Sequence, residues 1–261
     1  MESKVQTVTS RGWGEWRTVA IAIVALAGII MMQQTGLGNH NLAESDPRQA
    51  QQQEALRLEM LRRLPTLGFD NMIANTVFLR WAQYFGDEEI RDQVGYALNK
   101  EYFDVITRLD PRFAEMYPFI STAVSFAQGE PELGIQFMER GLAVLSPEIH
   151  PRAFLVWRFK GLDQLLLLGD IPGSIHSHEM AAQWAMGTAH EHYADLYQSA
   201  ADFLRTQPDS TRIRLWSWSE VYQNSMNESV RQRAEQEMLN LGAIKEITED
   251  GRVMFRLPDP E

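Results

Sequence analysis

Four histidines have the spacing that comes closest to a metal site. They stand in two pairs, in the strings SIHSH and AHEH: His176 with His178, and His190 with His192. Two positions along a helix rotate a side chain by about 200°, so neither pair can chelate an ion from one helix face. A site would need one histidine of each pair together with Glu179 or Glu191, in matched number and geometry. We therefore expect ordinary surface histidines, with no metal and no cofactor.

Catalytic groups of other kinds are missing from the sequence or have a simpler explanation. There is no cysteine, which excludes thiolate nucleophiles and zinc–thiolate sites. The sequence contains no glycine-rich phosphate loop and no GxSxG, HExxH or calcium-loop pattern. The acidic run Asp87, Glu88 and Glu89 stands in a turn, where carboxylates cap helix starts. The sequence therefore predicts a protein that is not an enzyme.

Arginine, lysine and asparagine side chains interrupt stretches that are otherwise apolar, and aromatic residues flank them. Side chains of this kind are typical of the concave face of a helical-repeat protein, where they fix a segment of a partner. The predicted groove residues are Asn75, Arg80, Trp81, Tyr84, Tyr117, Trp157, Arg158 and Lys160. A second interpretation stays open, in which the tryptophans belong to the core and the two arginines cap helices or pair with Asp87 and Asp163.

A repeated pattern predicts the elements that carry these residues. LDP at 109–111 closes one helical stretch, and LSP at 145–147 closes the next. Between them lie a turn, Gln128–Gly129–Glu130, and the small residues Gly141 and Ala143. Paired antiparallel helices with a glycine-centred turn and a terminal proline form the tetratricopeptide layout, in which small residues let the helices approach. The sequence therefore predicts a helical repeat.

Apolar periodicity extends this prediction over the chain. It predicts helices over 51–64, 69–84, 100–109, 153–168, 175–185, 191–205, 211–223 and 228–241, with a turn at Gly86 and Asp87 after the second. Alternation over 244–248 and 253–257 predicts a small hairpin that caps the open end of the stack. The expected fold is therefore all-α, a TPR-like helical repeat (an α–α superhelix) over 51–241, with a hairpin and tail over 242–261.

A hydrophobic segment near the N-terminus predicts a membrane anchor. Residues 19–32 lack charges and hydrogen-bonding side chains, but they give only about 21 Å of helix against the ~30 Å of a bilayer core. A span therefore needs the flanks, with tryptophans at the interface and an arginine that snorkels. The predicted anchor residues are Trp13, Trp16, Arg17, Val19, Ile21, Ile23, Leu26, Ile29, Ile30 and Met32.

Three interpretations of this segment stay open: an uncleaved transmembrane helix, a cleaved signal peptide of a secreted TPR-like protein, and a buried core helix. We expect the first, with a cytoplasmic segment over 1–17, an anchor over 18–37 and a linker over 38–50. Lys4, Arg11 and Arg17 all precede the segment, which keeps the N-terminus cytoplasmic and places the domain in the periplasm or a thylakoid lumen.

The charge of the chain excludes one class of partner. The formal net charge is −11, and the soluble part carries it. A negative field repels phosphate backbones, and no basic run offsets it. We expect no nucleic-acid binding.

Several strings resemble an uncharacterised cyanobacterial tetratricopeptide-like family of membrane-associated proteins: LPTLGFDNMIANTVFLRWAQYFGDEEIRD, LDPRF, VWRFKGLDQLLLLGD and the late EDGR and RLP. The resemblance covers about residues 60–258. It implies a photosynthetic setting and a single-pass protein of the thylakoid or plasma membrane. By analogy of fold, it also implies a non-enzymatic scaffold that assists assembly or stability of a membrane protein complex, or is its accessory subunit. The alternative function is a binding domain for a lipid or pigment.

Overall fold

The computed structural model describes residues 46–248 and 251–258, together with Ile23 and Leu26. The chain divides into two units, Met1–Ala50 and Gln51–Glu261, and the fold below is that of the second. Ile23 and Leu26 are helical and exposed. Within the described part of the chain, none of the helices combines the length and apolar character that a membrane crossing requires. The other predicted anchor residues lie outside the described residues: Trp13, Trp16, Arg17, Val19, Ile21, Ile29, Ile30 and Met32.

The described chain is mostly helical, as the sequence predicts. In chain order the α-helices are α1 (Pro47–Arg63), α2 (Asp70–Gly86), α3 (Glu88–Val94), α4 (Asn99–Leu109), α5 (Tyr117–Ile120), α6 (Pro131–Leu142), α7 (Phe154–Asp163), α8 (Ile171–Ala185), α9 (Ala194–Thr206), α10 (Thr211–Asn224) and α11 (Glu228–Asn240). Short 3₁₀ turns, Ala114–Met116 and Glu191–Tyr193, precede α5 and α9.

Neighbouring helices pack in pairs. Helix α2 packs on α4, α8 packs on both α7 and α9, and α10 packs on α11. The sequence predicted a simple turn at Gly86 and Asp87, but the chain instead forms the short helix α3 before it reaches α4. The glutamates that open α3 lie in its first turn, where carboxylates favour the helix dipole. The first helical pair therefore contains an additional short helix in its connection.

Two helices end in the same unusual way. Helix α5 continues as a π-helical segment, Ser121–Phe126, and α7 continues as another, Gln164–Leu168. A left-handed glycine follows each segment, Gly129 with φ 62° and Gly169 with φ 69°. A backbone N–H six residues on then closes each turn, from Glu130 to the Val124 carbonyl and from Asp170 to the Gln164 carbonyl. The same hydrogen-bonded turn therefore connects each π segment to the helix that follows it.

Helix α10 packs on the second π segment, and α11 lies beside the turn that follows the first. The indole Nε1 of Trp218 donates a hydrogen bond of 3.0 Å to the carbonyl of Leu167, at the end of the second segment. A Cβ at Gly129 would lie 3.1 Å from Cγ1 of Val230 and 3.8 Å from Cζ3 of Trp218. Only glycine combines this backbone angle with so close an approach. The turn after the first π segment is thus fixed against α11.

The predicted hairpin is present. Strand β1 (Ile244–Ile247) pairs antiparallel with β2 (Val253–Arg256), with Ile244 opposite Arg256. The Phe255 ring makes an edge contact with Tyr222 of α10 at 5.3 Å between centroids. The hairpin therefore covers α10.

Substitution of Gly141 in α6 tests whether a small residue is needed where this helix contacts Tyr117 of α5. A Cβ there would lie 2.8 Å from Cε2 of Tyr117, and closer to Cζ and Oη of the same ring. The Tyr117 ring is fully buried and its hydroxyl is bonded to the Pro111 carbonyl, so it cannot yield. We expect Gly141→Ala to lower the free energy of unfolding by about 2 kcal/mol, because overpacking outweighs the gain in helix propensity.

The matched control for this variant is Gly86→Ala at the end of α2, where a Cβ would meet nothing within 4 Å. We expect the control to be neutral or slightly stabilising in urea denaturation. Equal effects of the two substitutions would contradict the role assigned to Gly141.

Candidate functional site

A cleft of about 530 Å³ opens where three stretches of chain, far apart in the sequence, come together. One wall is formed by residues 95–97 and Lys100, at the start of α4. The second is formed by the turn 127–130 and the first turns of α6, and the third by residues 225–230 and Arg233, at the start of α11. The turn after the first π segment therefore lines the cleft together with the starts of α4 and α11.

Two ion pairs line the cleft. Lys100 Nζ lies 3.1 Å from Oε1 of Glu130, and Arg233 Nη2 contacts both carboxylate oxygens of Glu132 at 2.7 and 2.8 Å. The Arg233 guanidinium also lies 5.7 Å from the Trp218 ring centroid, which holds it against α10. Each of these four charges thus has a partner of opposite sign, and together they carry no net charge.

Gln128 is the buried polar side chain of this cleft. It is 8% exposed, and its Nε2 donates a hydrogen bond of 3.1 Å to the Ala97 carbonyl. Its Oε1 is buried and has no hydrogen-bond partner. The orientation of the amide is fixed, because turning it over would place Oε1 against the Ala97 carbonyl. Gln128 therefore keeps an unpaired acceptor enclosed within the fold, although other parts of the residue line the cleft.

The start of α6 adds the complementary groups. The first N–H groups of an α-helix have no acceptor within the helix. The N-cap residue Glu130 makes no side-chain hydrogen bond to them, since its carboxylate faces Lys100. Pro131 carries no N–H, so the donors of this turn are those of Glu132 and Leu133. Helix α11 differs, because the Asn227 side chain accepts from its second residue.

The predicted groove residues on α2 and α5 do not reach this cleft. Trp81 is 2% exposed and belongs to the core, as the second interpretation had it, and Tyr117, which was predicted to line the groove, is also a core residue at 0% exposure. Trp81 donates from Nε1 to Oδ1 of Asn99, whose Nδ2 in turn donates to the Ala123 carbonyl. In the α3–α4 connection, the Tyr84 hydroxyl donates to the Gly95 carbonyl and accepts from the backbone N–H of Leu98.

Arg80 is an ion-pair residue rather than a groove residue. It makes a bidentate pair with Glu54 of α1, at 3.0 and 2.5 Å, and Tyr102 donates to the same carboxylate at 2.9 Å. Burial alone would raise the pKa of Glu54, but the hydrogen bond and charge of Arg80 lower it overall. The predicted pairing of Arg80 with Asp87 is therefore replaced by one that ties α1 to α2. Asn75 lies exposed on α2.

Trp157, Arg158 and Lys160 lie on α7 and are half-buried. Arg158 does not pair with Asp163. Its Nη1 lies 3.2 Å from Nε2 of His178 and its guanidinium lies 5.6 Å from the Tyr197 ring centroid. Lys160 pairs with Glu139 at 2.9 Å and lies over the Trp157 ring.

The expectation of surface histidines is wrong for His178, which is buried, whereas the other described histidines are accessible. His178 is buried, and its Nδ1 lies 2.8 Å from the Ser174 carbonyl, so the proton sits on Nδ1 and Nε2 accepts from Arg158. Burial lowers the pKa of His178, which keeps it neutral. Over the described residues, no three His, Asp or Glu side chains are placed to hold a metal ion.

Asp163 is a buried carboxyl that joins the two π segments. It is the last residue of α7, and Ser121 and Ser125 of the first segment both donate to its carboxylate, Ser121 at 2.5 Å. Burial raises its pKa to about 7, although the two serine hydrogen bonds act in the opposite direction. Because Ser125 lies three residues before Gln128, this carboxyl is linked by a hydrogen bond to the segment that leads into the cleft-lining turn.

The sequence pattern predicts a turn at Gln128, Gly129 and Glu130 but no binding role for them. None of the predicted site residues is among those that line the cleft. No pattern in the sequence marks Gln128 itself. Its Oε1 lacks a partner only because the fold brings its Nε2 to the Ala97 carbonyl.

Comparisons with known protein families, with curated protein sequences and with solved structures gave no match.

Proposed function

We propose that this chain is a non-enzymatic scaffold that holds a segment of another protein in the cleft between α4, α6 and α11. The supporting observation is the cleft itself: a volume of about 530 Å³ that is lined by polar and apolar side chains and by two ion pairs. A volume in this range is typical of sites that enclose a ligand. The mutual pairing of its carboxylates and cations suits recognition better than proton transfer.

The architecture supports this proposal. The turn repeated at Gly129 and Gly169, followed in each case by a helix with proline in its first turn, is consistent with a tetratricopeptide-like repeat. Repeat proteins commonly bind partner segments along surfaces made by several repeats. The membrane tether is part of the same proposal and rests on the sequence of residues 19–32, as does a role in a photosynthetic or other membrane complex. A lipid or pigment is less well matched to walls that carry two ion pairs.

The tether and its orientation have a direct test. In sealed vesicles that expose the cytoplasmic face, the domain should resist added protease until detergent opens the membrane. Digestion of the domain in intact vesicles would contradict a lumenal or periplasmic location. A mature N-terminus after residue 32 would instead show a cleaved signal peptide.

Photo-crosslinking from within the cleft tests the binding role. A benzophenone amino acid at Gln136, which lines the cleft, should join the chain to a subunit of a membrane protein complex in isolated membranes. The control position is Gln198, an exposed glutamine on α9. Crosslinks of equal yield to the same proteins from both positions would contradict the proposal.

Charge reversal in the cleft should remove the specific crosslink. Glu132→Lys places a cation beside Arg233 and should reduce the Gln136 crosslink at least tenfold, because two like charges then face each other in the binding wall. The matched control is Glu179→Lys, which disrupts the ion pair with Arg205 on α8 and α9. The control should leave the yield unchanged, and a yield that is unchanged in Glu132→Lys as well would contradict the assignment of the cleft.

A further inference from the structure

Residues 60–72 form an exposed apolar tip where α1 connects to α2, the α1–α2 tip. The large apolar side chains that are more than half exposed there are Met60, Leu64, Leu67, Phe69 and Met72. No separate stretch of equal length in the described chain exposes as many. Single exposed apolar side chains are ordinary on a protein surface, but a group of them marks an interaction surface. The tip is therefore a candidate for such a surface.

The backbone of the tip forms a turn that favours polar residues. The N–H of Phe69 bonds to the Thr66 carbonyl at 2.9 Å, and the two residues between them, Leu67 and Gly68, have φ of 53° and 85°. Positive φ at both central positions is typical of type I′ turns, in which asparagine commonly precedes glycine. Leu67 instead holds a bulky side chain in this left-handed conformation and leaves it 83% exposed. Packing within the fold therefore does not explain the leucine.

The start of α2 also carries an apolar residue where a polar one is preferred. Phe69 is the N-cap residue of α2 and makes no side-chain hydrogen bond to the helix. Serine, threonine, asparagine and aspartate are favoured at this position, because their oxygens accept from the first N–H groups of a helix. The Phe69 ring is more than half exposed, so it contributes little to the core. Two positions suited to polar residues thus hold exposed apolar ones, which indicates that the apolar surface itself is needed.

The charge around the tip indicates what covers it. Helices α1 and α2 contain five arginines and three acidic residues, whereas the whole chain has a net charge of −11. Arg57 and Arg63 are exposed and follow or precede the exposed Leu56 and Leu64 directly in the sequence. An anionic lipid surface matches both features, because its acyl region receives apolar side chains and its headgroups attract guanidinium groups. The acidic remainder of the chain is repelled by such a surface, so the tip is the end that faces it.

The position of the tip in the sequence favours the same occupant. Residues 33–46 separate the hydrophobic segment 19–32 from the start of α1. A stretch of that length can reach up to about 50 Å, which exceeds the ~25 Å length of α1. A tether at 19–32 therefore leaves the tip within reach of the bilayer. A second copy of the chain fits less well, because two tips facing each other would bring their arginines together.

We propose that the α1–α2 tip inserts into the surface of a bilayer that contains anionic lipids, with Leu67 and Phe69 among the acyl chains and Arg57 and Arg63 at the headgroups. None of residues 60–72 lines the cleft, so this is a separate interaction surface. The inference takes from the proposed function only the membrane tether. The inserted tip gives the domain a second attachment to the membrane and so fixes its orientation there.

Quenching of a fluorescent label by lipids tests this inference in the full chain. The chain has no cysteine, so Asn71→Cys, at an exposed position of the tip, takes a single label and keeps all five apolar side chains. The protein is reconstituted in vesicles of three parts phosphatidylcholine to one part phosphatidylglycerol, with a lipid that is spin-labelled near the top of its acyl chain. We expect quenching at least threefold stronger than for a label at Gln198→Cys, an exposed position on α9.

A double substitution removes the apolar side chains without harming the fold. Leu67→Asn with Phe69→Ser places residues that suit the turn and the helix cap, so urea denaturation should show a stability no lower than that of the wild type. It should reduce the quenching at Asn71→Cys to the level at Gln198→Cys. The matched control is Leu196→Asn with Phe203→Ser, an exposed leucine and phenylalanine on α9, which should leave the quenching unchanged.

The lipid composition tests the charge requirement. Replacing phosphatidylglycerol by phosphatidylcholine should lower the quenching at Asn71→Cys at least twofold, because the headgroups then no longer attract the arginines. Quenching that is the same in both vesicles would contradict an anionic surface as the occupant.

Three further results would overturn the inference. The first is equal quenching at the two labels, and the second is quenching that Leu67→Asn with Phe69→Ser leaves unchanged. The third is a label at Asn71→Cys whose emission shifts to the blue with rising protein density but is not quenched by the spin-labelled lipid. That result would show that a second copy of the chain covers the tip.

The tip and the cleft are tested independently. Specific crosslinks from Gln136 together with an unquenched tip would leave the scaffold and remove the insertion into the bilayer. A quenched tip without specific crosslinks would leave the insertion and remove the scaffold.

Discussion

Asp163→Asn should make the protein more stable at pH 8, by up to about 4 kcal/mol. The carboxyl has a pKa of about 7 in the folded protein because it is completely buried, against about 3.9 in an unfolded chain. A difference of about three units corresponds to about 4 kcal/mol of unfolding free energy. An asparagine keeps the shape and is neutral at every pH, and it can accept from one serine and donate to the other.

The sign of the pH dependence follows from proton counting. Between about pH 4 and pH 7 the folded protein retains the proton on Asp163 while the unfolded chain has lost it. The stability that this group contributes is therefore present at low pH and is lost as the pH rises towards 7. The advantage of Asp163→Asn over the wild type should shrink by about 2 kcal/mol between pH 8 and pH 5.5.

Urea denaturation of both proteins at several pH values measures this difference. All other titrating groups are common to the two chains and cancel in the comparison. A constant difference across the pH range would show that Asp163 is ionised in the folded protein, and that its two serine partners outweigh its burial.

Much of the helical framework follows from local features of the sequence. The last helix was predicted over 228–241 and spans Glu228–Asn240. Its start is set locally, because the Asn227 side chain accepts a hydrogen bond from the backbone N–H of Ser229, two residues on. The hairpin around Gly251 is likewise set by alternation and a turn residue with φ 80°. Such features depend on residues a few positions apart, so they can be predicted without knowledge of the packing.

The π segments and the role of the aromatic residues depend on contacts that the pattern does not contain. Ser121–Phe126 follows directly on α5, and what distinguishes it is its wider π-helical backbone, from which Ser121 and Ser125 both reach the distant Asp163. Trp81 and Tyr117 have the same flanking pattern as groove residues, but their burial follows from how α2 and α5 meet α4 and α6. The cleft is a still more distant consequence, since its walls come from residues near 97, 128 and 228.

Asp104→Asn should have the opposite effect to Asp163→Asn, with a loss of about 3 kcal/mol in the free energy of unfolding. Asp104 is almost as deeply buried, at 7% exposure, but three guanidinium groups surround it. Arg62 lies at 2.7 Å, Arg108 at 3.1 Å and Arg140 at 2.8 Å, so the carboxylate joins α1, α4 and α6. Neutralising it removes the counter-charge of Arg108 and Arg140 and leaves Arg62 with Glu59.

The control for this prediction is Asp202→Asn at the exposed pair with Arg205, which should cost less than about 0.5 kcal/mol because water screens that pair. Urea denaturation at pH 8 compares all three variants. The same chemical change is made at two buried aspartates, of which Asp104 faces three guanidinium groups and Asp163 faces two serine hydroxyls. Opposite signs at 104 and 163 would therefore show that counter-charge, rather than burial, decides whether a buried carboxylate stabilises this helical stack; a loss at both positions would show that the charge of Asp163 is also stabilised by its surroundings.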